Sequence, residues 1–345
     1  MTHFVNLIGL LLLTITACSE HVNRQNIDFT YDPESITKLE SRLAAESDSL
    51  ISAFRIEIFD KYAVVSDIRS NIFLHLFNLE SGRKLQTLGI GGRGPGEFQN
   101  IQFLQFHPDS LKLYAHDASL SRTSIFRFEP DKQAFIYDTL LHIKNDGLTI
   151  EVSAMNDGRL VTNGMIGNKR AAIFDKNGEY LYDIGKLPGQ LDEPFNARMQ
   201  AHRSFTEFHF KTGNILLGNM YSDLIEIWSP ENEKIREIRG PLGKDPVYRS
   251  QENGPSFLRT DETITSYVGI TSNNHYIVGL YSGRTKDQDY DNMGSYIHVF
   301  DTDGNFINAY RLDYFTFDID LGEDNKLYSI VSTRIPSIRE YTIPK

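Results

Sequence analysis

The chain has 345 residues, 40% hydrophobic and 12% aromatic, a formal charge of −11 and one cysteine. That content supports a sizeable core. A single thiol excludes an internal disulfide, and the acidic balance, with no cluster of Lys and Arg, argues against a nucleic-acid partner.

In chain order, the first element is a leader. Phe4 to Ile15 is apolar except for Asn6, Gly9 and Thr14. It is too short to span a bilayer and has the length of a signal-peptide hydrophobic region. It ends in Ile15-Thr16-Ala17-Cys18, which resembles a bacterial lipobox. The resemblance implies cleavage before Cys18 and acylation of its thiol and new amine. At about 0.8 kcal/mol per buried methylene, two or three acyl chains anchor a soluble domain stably. The leader departs from the pattern in lacking Lys and Arg, its start carrying only the amine and His3. Residues 1–17 are thus expected to be a lipoprotein signal peptide, 18–26 a lipidated tether, and 27–345 the folded domain. Ser19-Glu20-His21 carries neither an inner-membrane retention signal nor an acidic export run. This points to an outer-membrane anchor with the domain facing the periplasm.

The body reads as short strands. Asn26–Tyr31 alternates as a strand does. Asp32 and Pro33 could open a helix, with Ile36, Leu39 and Leu43 at helical spacing; an extended crossover is the alternative. Phe54–Ile58 alternates, Tyr62–Val65 follows, and Ile72–Leu79 is apolar on both faces, as a strand buried between stacked sheets would be. Glu80-Ser81-Gly82 turns the chain and Lys84–Leu88 returns, giving a four-stranded meander. The unit recurs loosely. Its turns include Asp175-Lys176-Asn177-Gly178 and Asp301-Thr302-Asp303-Gly304, whose Asn-Gly and Asp-Gly pairs suit hairpins. Six units at a spacing of roughly 45–55 residues, stretched in the fifth, are what a β-propeller of four-stranded blades requires. The last unit has room for three strands, so its open edge needs a partner. Asn26–Tyr31 is the expected outer strand that closes the ring.

Between the first two units stands Gly89-Ile90-Gly91-Gly92-Arg93-Gly94-Pro95-Gly96-Glu97-Phe98, five glycines and a proline in ten residues. Such a run is neither helix nor ordinary strand. Its Gly94-Pro95-Gly96-Glu97-Phe98 block resembles the connection in TolB-like six-bladed propeller lipoproteins of Bacteroidetes and in NHL-type propellers. Ser47-Asp48-Ser49-Leu50-Ile51 fits the opening of the same family. The resemblance covers most of residues 27–343. It implies an all-β six-bladed propeller of antiparallel blades and an extended path for Asp32–Ser52, and it carries no shared catalytic residues.

Candidate chemistry is sparse. His202, Arg203 and Glu207 could line a central channel, with His209 close by. Two histidines at this spacing fit no standard zinc site. Arg93 could bind an anion, although a structural role with Glu97 accepting from loop amides is the simpler reading. Asp287, Asp289, Asp291 and Asn292 crowd oxygens together but lack the EF-hand glycine and terminal glutamate. Trp228, beside a turn, suits blade packing better than a sugar platform. Gly240–Thr265 and Thr285–Gly294 read as long loops, where binding surfaces usually lie. No nucleophile elbow, P-loop or HExxH occurs. The expectation is a monomeric, lipid-anchored binding or scaffold protein for an envelope protein or glycan, without metal or cofactor. The alternative is a polysaccharide lyase or glycoside hydrolase using the channel. Two carboxylates around one deep pocket would favour the enzyme; a shallow mouth would favour binding.

Overall fold

The computed structural model describes residues 26–145, 147–189, 193–250, 257–331 and 333–344. Cys18, the leader and most of the tether lie outside the described residues.

Six sheets of four antiparallel strands follow one another along the chain. The innermost strands are Ala53–Phe59, Ile101–His107, Leu148–Ala154, Ser204–His209, Ile264–Ser272 and Ile319–Leu321. Each opens its blade, and the chain then steps outward strand by strand through tight turns. The turn glycines sit where φ must be positive: Gly178 at 81° and Gly304 at 83°.

The core is divided by the ring. Among the described residues six apolar clusters occur, one at each blade junction. Blades 1 and 2 meet through Phe59, Tyr62, Leu76, Phe106, Phe126 and Phe128. Blades 6 and 1 meet through Ile330, Ile338, Ile56, Val65 and Phe77. Strands apolar on both faces, such as Ile72–Asn78, follow from this packing, because each blade is sandwiched between two others. Trp228 packs at the junction of blades 3 and 4 and is 7% exposed.

Closure uses the amino-terminal segment, but not the expected residues. Ile27–Asp28 adds in parallel to the outer strand Lys234–Arg239 of blade 4. Thr37–Leu39 adds in parallel to Phe306–Thr316 of blade 5. The strand that completes blade 6 is Arg42–Glu46, antiparallel to Ser337–Thr342. The segment is therefore an extended strap across three blades, and the helical spacing of Ile36, Leu39 and Leu43 is incidental. Aromatic packing seats this end of the strap in the junction of blades 4 and 5: Phe29 stacks on Phe306 of blade 5 at 4.4 Å and meets Phe300 edge-on at 5.4 Å. At the closing strand, Arg42 Nε donates to Glu340 at 2.6 Å, and the Tyr328 hydroxyl donates to the same carboxylate at 3.1 Å.

The Gly-rich connection is a tight knot on the face carrying the long loops. Phe98 is buried in the junction of blades 1 and 2. Its ring lies so close to Gly89 (φ 73°) that a Cβ there would meet it at 2.6 Å. Gly94 N–H donates to the Glu97 carboxylate at 2.6 Å. The guanidinium that secures the loop is Arg122, which donates to the carbonyls of Arg93, Gly94 and Glu97 at 2.6, 2.9 and 2.9 Å. Arg93 itself points no side chain into this network and is exposed.

Candidate functional site

Side chains alternate along a strand, so each inner strand aims every second residue at the ring axis. Two levels result. The upper, toward the long loops, holds Arg55, Phe103, Glu151, Phe205, Gly269 and Asp318, which line a narrow channel of about 40 Å³. The lower, toward the tight turns, holds Glu57, Gln105, Ser153, Glu207, Thr271 and Asp320.

The innermost strand of a blade is an edge strand whose outward N–H groups lack a strand partner. The axial side chains supply one, each reaching to the next blade around the ring. Glu57 Oε1 accepts from Phe106 N–H at 2.6 Å, and Gln105 Oε1 from Ala154 N–H at 2.6 Å. Glu151 Oε2 accepts from Thr206 N–H at 2.6 Å, and Glu207 Oε1 from the Ser272 hydroxyl at 2.9 Å. Thr271 Oγ1 lies 3.3 Å from Leu321 N, and Asp320 Oδ2 accepts from Ile58 N–H at 2.6 Å, which returns to blade 1. Every junction thus carries at least one axial hydrogen bond, and some carry a second: Gln105 Nε2 also donates to the Ala154 carbonyl at 3.3 Å, Thr271 Oγ1 to Asp320 Oδ1 at 2.5 Å, and Ile56 N–H to Asp318 Oδ2 at 3.0 Å.

Charge is balanced at one level and not at the other. Above, Arg55 lies 3.3 Å from Asp318 Oδ1, donates to the Gln102 carbonyl at 3.0 Å, and rests 4.5 Å from the Phe54 ring centroid. Burial raises the Glu151 pKa to about 6 even though Arg55 and Arg203 pull it down. Burial likewise raises Asp318, against the pull of Arg55. Below, burial and then the charge of Asp320 push both Glu57 and Glu207 well above the usual carboxylate range. Burial raises Asp320 to about 6. No cation figures among the main influences on these three.

The lower carboxyls form the floor of a vestibule of about 550 Å³ that opens on the tight-turn face. Its walls include Phe59, Tyr62, Phe106, Phe128, Phe210 and Leu321, and its rim Asp60, Lys61 and Glu323. That volume is in the range of small-molecule sites.

Of the residues singled out from sequence, Glu207 lines both channel and vestibule. Arg203 lies just above, beside Glu151, with its guanidinium 5.8 Å from the Phe205 ring centroid. His202 does not line the channel, because a short helix, Phe195–Ala201, ends at it before the inner strand begins. Its carbonyl accepts from buried Arg170, and burial, then Arg170, lower its pKa to about 4. His209 ends the strand, where its Nδ1 accepts from Thr212 N–H at 3.1 Å and holds the turn. The loop 285–294 gathers no cation cage: Asp291 pairs with Arg259 at 2.5 Å, and Asp289 offers its carbonyl to Arg284 at 2.9 Å. Among the described residues no group of three His, Cys, Asp or Glu is placed to hold a metal ion. Sequence alone does not single out Glu57, Glu151, Asp318 or Asp320; the available signal is at the lower level, where each inner strand carries a polar residue, Glu57, Gln105, Ser153, Glu207, Thr271 and Asp320.

The TolB-like 6-blade propeller family model matches residues 34–324. The chain belongs to that family. This TolB-like propeller shares its fold with a candidate exported protein of Bacteroides fragilis, at TM-score 0.64 and 14% identity over 93% of this chain and 99% of the other. It is also similar to a DUF4221 family member from Bacteroides vulgatus, at TM-score 0.61 and 10% identity, covering 87% and 95%. A streptogramin B lyase matches at TM-score 0.51 and 12% identity, covering 88% and 97%. No curated protein matches the TolB-like chain.

Proposed function

We propose that this TolB-like propeller is a lipid-anchored envelope protein that binds its partner, an envelope protein or a glycan, at the vestibule. The observation that carries binding over catalysis is the axial ring of hydrogen bonds. Glu57, Glu207 and Asp320 each brace a blade junction, so moving any of them as an acid or base would loosen the ring. The lipobox at Cys18 supports the anchor, and the exported Bacteroides fragilis relative is consistent with an envelope address. The outer membrane, with the domain facing the periplasm, is the proposed site.

The arrangement set out from the sequence as favouring the enzyme, a polysaccharide lyase or glycoside hydrolase, is present: Glu57, Glu207 and Asp320 surround one deep pocket with raised pKa values, which suit a general acid. Capture on a glycan array and from envelope extracts separates the two. Binding is expected to survive without product formation and to fall in a Phe210→Ala variant. Glycan cleavage that stops in Glu57→Gln would establish the enzyme instead. Cys18→Ala is expected to move the protein from the membrane to the soluble fraction; unchanged fractionation would remove the lipid anchor.

A further inference from the structure

The vestibule gathers acidic groups against an apolar wall, with little basic charge to pair with them. Among its lining residues Glu57, Asp60, Glu207, Asp320 and Glu323 are acidic and Lys61 is the one base. Lys61 lies toward Glu80, at 3.9 Å. Above the floor, Arg55 is committed to Asp318 and the Gln102 carbonyl. Glu57 spends one oxygen on Phe106 N–H; among the described residues none donates to its Oε2. Glu57 and Glu207 are only partly buried by area although protein surrounds them, because they face the open space of the vestibule. Phe59, Phe106 and Phe128 border the vestibule with little open surface, 9, 6 and 6% exposed, and half-buried Phe210 adds more; such ring surface stabilises a cation as well as an apolar chain.

Resting on the vestibule as the binding site, we propose that it takes a primary ammonium carried on an apolar body, the ammonium at Glu57 and Glu207 and the body against the phenylalanine wall. A neutral ligand gives the floor carboxyls no partner on which to ionise, and an anion would oppose their ionisation. Glu57, Glu207 and Asp320 would bind the ammonium more tightly as they ionise, and Asp60 and Glu323 face it from the rim; Lys61 at the rim and Arg55 above oppose it, and Asp318 offsets Arg55. An ammonium at the floor drives protons off the raised carboxyls, so binding near pH 6 releases protons.

The test is calorimetric titration of the full chain in detergent with 4-phenylbutylamine, 4-phenylbutanol and 4-phenylbutyrate. The amine is expected to bind at one site, the alcohol at least tenfold more weakly, and the carboxylate not measurably. At pH 6 the amine's binding enthalpy should differ between phosphate and a buffer of large ionisation enthalpy. Glu57→Gln and Glu207→Gln should each weaken the amine at least tenfold while leaving the alcohol unchanged and the circular dichroism native. Amine and alcohol binding equally, with both lost in Phe210→Ala, would overturn the cation claim and leave the vestibule standing. Binding indifferent to Phe210→Ala would remove both. Full displacement of the amine by equimolar Ca²⁺ would also overturn the proposal, since the floor would then read charge alone.

Discussion

The two levels of the channel come from the same inner strands, two residues apart, yet they treat charge in opposite ways. The upper level sets Arg55 and Arg203 among Glu151 and Asp318. The lower sets Glu57, Glu207 and Asp320 against one another. Both levels satisfy edge-strand N–H groups, so bracing alone does not require the difference. Gln105 shows as much, because a neutral amide makes the same bridge between blades 2 and 3. A fold that retains carboxyls where amides would serve accepts strain at that place, and such places are commonly functional.

The largest effect should come from breaking the balanced level. Arg55→Ala leaves Asp318 buried without its cation and Glu151 with Arg203 alone, a loss of about 3–5 kcal/mol for a broken buried pair. Urea unfolding would show it; a loss below about 1 kcal/mol, the range of exposed pairs, would mean that the upper level is not balanced as described.

The unbalanced level should respond in the opposite direction. The folded-state pKa values of Glu57 and Glu207 lie above their unfolded values. Each group's contribution is therefore fully present at pH below the unfolded value of about 4.3 and is lost as pH rises through the folded pKa. Glu57→Gln and Glu207→Gln should thus melt higher than wild type at pH 8, by about 2–4 °C for each kcal/mol recovered. The gap should close toward pH 4. His116 and His298, lowered by burial to about 4 and about 3, depend on pH in the other sense but are common to variant and wild type, so they cancel in the difference. A variant that melts lower at pH 8 would contradict the imbalance. The smallest effect belongs to the bracing itself: Ser272→Ala removes one donor from Glu207 and should cost about 1 kcal/mol, read from the same unfolding curves.

Sequence revealed the ring more readily than the site. The alternation of Phe54–Ile58, the Asn177-Gly178 and Asp303-Gly304 turns and the Gly94–Phe98 block are local signals, and local backbone chemistry answers to them. The closing strand was harder to find. Asn26–Tyr31 and Arg42–Glu46 can both be extended, and the choice between them is made by Phe29 fitting between Phe300 and Phe306, some 270 residues away. The vestibule was least visible, because its floor is assembled from blades 1, 4 and 6. Glu57 and its partner Phe106 are 49 residues apart, and Glu207 and Ser272 are 65 apart. A lone carboxylate within an apolar strand marks the level only once the blades are aligned. His202 misled because the helix Phe195–Ala201 pushes the strand start two residues beyond it.

The most direct measurement is the carboxyl ¹³C shift of Glu57 and Glu207 followed through pH on the folded chain. An uncompensated lower level predicts that both titrate well above the ordinary glutamate value of about 4.3, and that added 4-phenylbutylamine draws both midpoints down. Midpoints at or below about 4 without ligand would show that the floor charge is already neutralised, and would contradict the account.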